Sequence, residues 1–99
     1  MNGSRRNVRT KEFKKMLAAL PARVQNLAIQ AFDRFCENPD HPSLRRHRLE
    51  DTDKGQHRAG SYSISISMQY RAIYGEDADT NVWYWIGSHA DYDTFTGGK

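Results

Sequence analysis

The chain has 99 residues and a mass of 11.4 kDa, enough for one compact domain and too little for separate cofactor-binding and substrate-binding domains. Its mean hydropathy of −0.87 and 27% charged residues make it polar, yet 37% hydrophobic and 11% aromatic residues supply a core and argue against wholesale disorder. No apolar run approaches the roughly 20 residues of a membrane span, and Met1 to Arg6 lacks the apolar stretch of a secretion signal. The single cysteine, Cys36, can form neither an internal disulfide nor a cysteine-rich zinc site, so a cytoplasmic protein without a membrane partner is expected. The net charge of +3 is unevenly placed: residues 1–50 carry 11 basic against 5 acidic side chains, residues 51–99 carry 4 against 7. A basic front half suits a polyanion or an acidic protein chain, and equally two solvated basic helices.

In chain order, residues 1–9 read as a flexible leader or, at Asn7 to Arg9, a short strand. Phe13, Met16, Leu17 and Leu20 then fall at helical spacing, with Thr10 as N-cap and Lys11, Lys14 and Lys15 on the outer sides. Pro21 ends that helix and suits the first turn of the next. Val24, Leu27, Ala28, Ala31, Phe32 and Phe35 keep the helical period until Asn38-Pro39 stops it. The two helices form a hairpin, and neither can bury its apolar stripe on the other alone.

Asp40 to Ser43 reads as a loop, Leu44 to Leu49 as a basic segment leading into a short strand, and Asp51 to Gly55 as a polar turn. Tyr62, Ile64, Ile66 and Met68 alternate with Ser61, Ser63, Ser65 and Ser67, the period of a half-buried strand. Tyr70 to Tyr74 is a second strand and Gly75 to Thr80 an acidic turn placed away from any polyanion. Val82 to Ile86 is a third strand, apolar on both faces, hence central or covered on its second face by the C-terminal tail. The expected fold is α+β: an N-terminal helical hairpin packed on one face of a small twisted, mainly antiparallel sheet. Its other, serine-lined face is left free to bind. Residues 10–95 form the single domain, and 96–99 a disordered tail.

Four histidines, His41, His47, His57 and His89, are candidates for acid-base work, but their spacing shows no metal-ligand pattern, and no metal or other cofactor is expected. Cys36, next to Phe35 on a helix, reads as a buried structural thiol. Arg45-Arg46-His47-Arg48 places three guanidiniums around an imidazole, a phosphate-holding arrangement or a solvated basic strand edge. Arg71, inside the apolar strand Tyr70 to Tyr74, requires an ion-pair partner or an open cleft, from which it could stabilise phosphate charge. After the most aromatic strand, Gly87-Ser88 releases His89 and Tyr92 at the strand's end, with Asp91 available to orient an imidazole. A structural plug over the sheet is the competing account of His89 and Tyr92.

Three features together resemble the RelE/ParE superfamily of toxins from bacterial toxin-antitoxin pairs: the hairpin ending in Asn38 to Leu44, the strand Tyr70 to Tyr74, and the terminal Trp85 to Tyr92. They run in the family's order over most of the chain, from Phe13 to Tyr92. The resemblance implies a microbial-ribonuclease-like sheet carrying two helices and, through the RelE, YoeB and YafQ branches, metal-independent cleavage of messenger RNA in the ribosome. It assigns Arg71 to phosphate binding, His89 to the general acid, His47 to the general base, and Tyr92 to a nearby C-terminal aromatic position. Arg45, Arg46 and Arg48 would assist at the RNA, and Lys11, Lys14 and Lys15 would grip ribosomal RNA or an acidic antitoxin. Ser65 and Gln69 depart from the pattern, standing where some branches carry catalytic acidic or basic residues. The alternative function is therefore a gyrase inhibitor of the ParE branch, or an inactive homologue that only binds its antitoxin.

Overall fold

The computed structural model describes residues 5–98; Met1 to Ser4 of the expected leader and Lys99 of the expected tail lie outside the described residues. Strand β1 (Arg6–Arg9) is followed by helices α1 (Lys11–Ala18) and α2 (Ala22–Glu37) and a single 3₁₀ turn at Pro42–Leu44. Strands β2 (His47–Arg48), β3 (Ser61–Ser67), β4 (Tyr70–Asp77) and β5 (Thr80–Ser88) follow, and helix α3 (His89–Phe95) closes the chain. The sheet order is β1-β5-β4-β3-β2, antiparallel except for β1, which runs parallel to β5. This is the expected α+β architecture with an additional parallel edge.

The helix boundaries follow local chemistry. Thr10 Oγ1 accepts from the Phe13 amide at 3.0 Å and caps α1, as its position before the apolar period predicts. Pro21 is the N-cap of α2 rather than its first helical residue, and its carbonyl accepts from Val24 and Gln25. Asn38 is extended (φ −157°), the conformation imposed on a residue before proline, and α2 stops there. Each helix packs on the sheet, α1 over β5 and α2 over β3, more than on its fellow.

The first core lies under these helices. Trp83, 1% exposed, meets the rings of Phe13, Phe32 and Phe35 edge-on at centroid distances of 6.3, 5.6 and 5.1 Å and tilts against Tyr74 at 4.6 Å. Its indole N–H donates to Asn7 Oδ1 at 3.0 Å, which ties β1 to the centre of the domain.

A β-bulge then redirects β5. Tyr74 pairs with Trp83 and Ile73 with Trp85, so Tyr84 has no opposite residue, and Tyr84 and Trp85 both join the second face. There they build a second core with Leu49, Ile73 and Tyr92, with Phe95 packed against it. The serine-lined face is therefore not free: Ser61 and Ser63 are buried, and α3 and the 49–60 loop cover much of it. The central position expected of Val82 to Ile86 and the cover on its second face are both realised.

Other departures are local. Met68 is not a strand residue but the exposed tip of the β3-β4 turn, and the expected acidic turn shrinks to Ala78-Asp79, because β4 continues to Asp77. Thr96–Gly98, part of the expected tail, dock on the 49–60 loop: a Cβ on Gly97 would stand 2.7 Å from the Lys54 backbone, and Gln56 N–H donates to Phe95 O at 2.6 Å. Cys36 is exposed rather than buried, its Sγ 4.0 Å from Asn7 Nδ2. No helix among the described residues is long and apolar enough to cross a membrane.

Ala78 takes φ +55°, the left-handed region that disfavours a Cβ, in the two-residue connection between β4 and β5. Ala78→Gly is expected to stabilise the domain by about 0.5–1 kcal/mol, the relief of strain exceeding the entropy cost of glycine. Thermal unfolding would register this as a rise of roughly 2–8 °C in Tm; an unchanged or lower Tm would refute the strain.

Candidate nucleic-acid site at the end of the sheet

The residues singled out by sequence do not converge as one group; the structure separates them into three. The first group lies where β3, β4 and β5 meet α3. Arg71 pairs across the sheet with Ser65 on β3 and with Gly87 on β5, two residues before His89. A bulge at Ile66 turns the end of β3, so that Arg71 Nη1 donates to Ser67 O at 2.8 Å, and to Tyr70 O and Met68 O at 3.1 and 3.4 Å. Among the described residues no carboxylate lies within ion-pair distance of Arg71, so the expected alternative of a structural salt bridge is not what holds it. The turn carbonyls orient the guanidinium without neutralising its charge.

His89 is the first residue of α3, a helix that sequence reasoning missed. Ser88 Oγ accepts from the Asp91 amide at 3.1 Å, and the Ser-x-x-Asp spacing from Ser88 to Asp91 was the available signal. The backbone of His89 is fixed by its own amide donating to Gln69 O at 2.7 Å. Its Nε2 lies 3.6 Å from Asp93 Oδ2, one helical turn on, so Asp93 and not Asp91 is the carboxylate beside the imidazole. Tyr92, 8% exposed, stacks on His89 with centroids 6.0 Å apart and packs against Trp85, which makes it part of the second core. The plug account describes Tyr92, while His89 stays exposed.

His47 sits on β2 opposite Ser63, on the face of the sheet that carries Arg71. Its Nδ1 lies 3.2 Å from Arg45 O; a carbonyl can only accept, so Nδ1 carries a proton in this contact. About 14 Å of sheet, three strand spacings, separates β2, which carries His47, from β5, which leads into His89, with Arg71 on β4 between them. The acidic β4-β5 turn lies at the far end of β4, roughly 20 Å along the strand from Arg71.

The remaining basic residues divide. Arg46 is structural: Nη2 contacts Asp40 Oδ1 at 2.7 Å, Nη1 donates to Tyr74 Oη at 3.2 Å, and the guanidinium lies 5.4 Å from the centre of the Tyr62 ring. The Asp40 hydrogen bond raises its pKa further, and Arg46 raises no free charge toward RNA. Arg48 faces Asp51 at 3.4 Å on an exposed edge. Arg45 is exposed and in the left-handed region (φ 48°). Lys11, Lys14 and Lys15 are exposed on α1, whose packing face meets the opposite side of the sheet from Arg71 and His89. They do not share a surface with the candidate site.

The other two histidines have structural partners. His41 Nδ1 accepts from the Ser43 amide and caps the 3₁₀ turn, and His57 is buried with Nε2 2.7 Å from Glu50 O. Cys36 is no activated nucleophile, since partial burial, and secondarily Asp33, push its thiol pKa up. Among the described residues no three His, Cys, Asp or Glu side chains are grouped to hold a metal ion.

A small α+β domain, with an unneutralised arginine and an exposed histidine at one end of its sheet, is the class that the fold and the site define. A family model described as the ParE-like toxin domain matches residues 22–94, and the chain belongs to this family within the RelE/ParE superfamily. Its fold is similar to YafQ from Escherichia coli, with a TM-score of 0.69 and 15% identity, covering 89% of this chain and 97% of that one. It is similar also to the archaeal RelE-RelB complex from Pyrococcus horikoshii (0.64, 18%, 87% and 96%) and to the RelBE2 toxin-antitoxin complex from Mycobacterium tuberculosis (0.65, 22%, 88% and 100%). No curated protein sequence matches the chain.

The structural role of Arg46 has a direct check. Arg46→Met keeps the stem over Tyr62 but leaves Asp40 and the Tyr74 hydroxyl without their partner, so a destabilisation of about 1–3 kcal/mol is expected. A calorimetric Tm at or above wild type would show that Arg46 is not holding the loop after α2.

Proposed function

We propose that this toxin cleaves messenger RNA by metal-independent general acid-base catalysis, acting within the ribosome. The observation that carries the reading is the placement of Arg71 and His89 at one end of the sheet, the arginine oriented by carbonyls with its charge uncancelled and the imidazole exposed beside it. In this mechanism a ribose 2′-hydroxyl attacks the adjacent phosphorus and gives its proton to solvent water as base. His47, about 14 Å of sheet from His89 and two residues along the strand from the level of Arg71, is out of reach of the phosphate that His89 serves. Arg71 stabilises the charge that gathers on the non-bridging oxygens, and His89 delivers a proton to the departing 5′-oxygen. Asp93 and Tyr92 are positioning residues: one faces Nε2 across a helical turn and the other stacks on the ring. Arg45 and Arg48 contribute long-range attraction for RNA. A cognate antitoxin is the protein partner, as the toxin-antitoxin complexes among the structural relatives suggest. The exposed lysines of α1, across the sheet from the site, are offered to that acidic chain or to ribosomal RNA.

A second reading is inhibition of gyrase. The family model that matches is the ParE-like one, and Ser65, directly beside Arg71, brings no acid or base to the site.

Inducing the protein in bacteria and mapping messenger-RNA ends separates the two. The ribonuclease reading expects new ends at in-frame codon positions, and His89→Gln is expected to lower cleavage on the order of a hundredfold or more, whereas His47→Ala, three strands away, is expected to leave cleavage close to wild type. Intact RNA together with a DNA-damage response would establish the gyrase reading instead. Wild-type cleavage by His89→Gln would remove the acid assignment.

A further inference from the structure

Of two arginines beside the proposed site, Arg34 is unused by the mechanism above and Arg45 enters it only through long-range attraction. A cavity of about 440 Å³ opens at the edge of β3, lined by Arg34 and Arg45, the hydroxyl residues Ser43, Ser65 and Ser67, and the apolar residues Pro42, Ile66 and Met68. No carboxylate lines it, and among the described residues neither arginine has an ion-pair partner. Two guanidiniums at one small cavity repel each other, an arrangement that an anion between them would reverse.

The local backbone points the same way. Arg45 adopts φ 48° and ψ 41° directly after the 3₁₀ turn, a conformation that glycine takes freely and an arginine takes at a cost. As the C-cap of the 3₁₀ turn, with its amide donating to Pro42 O, this left-handed residue turns the chain so that Arg45 lines the cavity. Arg34 reaches the cavity from the last turn of α2.

The edge itself is open. β2 pairs only with Tyr62 and Ser63, so β3 carries no strand partner on that side from Ser65 onward. Two of the lining residues also adjoin the proposed site. Ser65 pairs with Arg71, and Ser67 O accepts from the Arg71 guanidinium.

We infer that this cavity is a phosphate subsite for the RNA chain, in which Arg34, Arg45 and the Ser43, Ser65 and Ser67 hydroxyls hold the nucleotide next to the one that Arg71 engages. This rests on the ribonuclease reading and extends it to the path of the strand, which leaves Arg71 across β3 toward the end of α2. The exposed Met68 side chain, 85% accessible at the β3-β4 turn, lies at the rim as an apolar surface for a base. An extended acidic peptide added to the β3 edge is the competing occupant. The two free guanidiniums and the link to Arg71 favour RNA.

The test measures binding of a 2′-O-methyl RNA oligonucleotide, which cannot be cleaved, to the full chain across a salt series. Arg34→Gln and Arg45→Gly are each expected to weaken binding on the order of tenfold. Each should also reduce the slope of log K against log salt by about 0.7, the loss of one single-strand phosphate contact. Arg45→Gly is expected at the same time to raise Tm by about 2–8 °C, because it relieves the left-handed strain, so that weaker binding cannot be ascribed to unfolding. Wild-type affinity and slope in both variants, in a protein that still cleaves RNA, would overturn the subsite and leave the ribonuclease reading standing. A wild-type protein that neither binds nor cleaves RNA overturns both. Wild-type RNA affinity in both variants, with a polyglutamate peptide instead binding both more weakly than wild type, would assign the cavity to a protein chain and overturn the inference.

Discussion

The bulge at Tyr84 is the constraint on which the rest of the molecule depends. A regular β5 would send Trp83 and Trp85 to one face and Tyr84 and Ile86 to the other. With Tyr84 unpaired, Trp83 and Ile86 face the two N-terminal helices, while Tyr84 and Trp85 face the opposite side. Each side of a five-stranded sheet thus receives its own large aromatic group. The second core fixes everything that follows in sequence. Tyr84 Oη accepts from the Arg58 amide at 2.8 Å and lies 2.6 Å from Ser61 Oγ, which pins the 49–60 loop, and Trp85 stacks on Phe95 at 5.1 Å, which pins α3. Gly87 permits this, because a Cβ there would stand 2.9 Å from the Trp85 ring. The orientation of His89 at the start of α3 is therefore a consequence of one extra residue in a strand five positions earlier.

Much of the fold was legible because it is written in local periodicity. The 3.6-residue spacing from Phe13 to Phe35 and the alternation from Ser61 to Ser67 need no knowledge of distant residues, and both elements formed where they were read. β1 was legible only as a possible strand, because its place in the sheet depends on partners more than seventy positions away, with Asn7 bonded to Asn81 and Trp83. The bulge has no composition signal of its own. The run Val82 to Ile86 announced burial on both faces without saying how its residues would be shared between them. α3 had a cap signature at Ser88, but a seven-residue segment with aspartates at 91 and 93 shows little helical periodicity. That omission carried over to the site, since only a helix brings Asp93 to His89.

Charge was the least legible property. The cluster Arg45 to Arg48 reads as one basic patch, yet the chain turns sharply through a left-handed residue at Arg45, and its members then point to different surroundings. Arg46 turns inward, where a nearby carboxylate, a phenol and an aromatic face take up its charge. Arg45 turns outward to a cavity it shares with Arg34, a residue that the helical period alone assigns to a solvated face. Composition counts these charges alike, whereas only tertiary contact distinguishes a cation that stabilises the fold from one left available to a ligand.

The same covering of both faces limits where a polyanion can lie. Helices α1 and α2 occupy one side, and α3 with the 49–60 loop occupies much of the other, so the exposed polar part of the sheet is its end at Arg71 and the open edge of β3 beyond Ser63. At that end, three backbone carbonyls hold the Arg71 guanidinium. Carbonyl oxygens supply hydrogen bonds and a partial negative potential, but no full counter-charge, so the arginine is both rigid and still attractive to phosphate. A carboxylate in their place would fix it as firmly and cancel the charge that phosphate binding requires. The structure therefore orients its central cation in the one way that preserves its field.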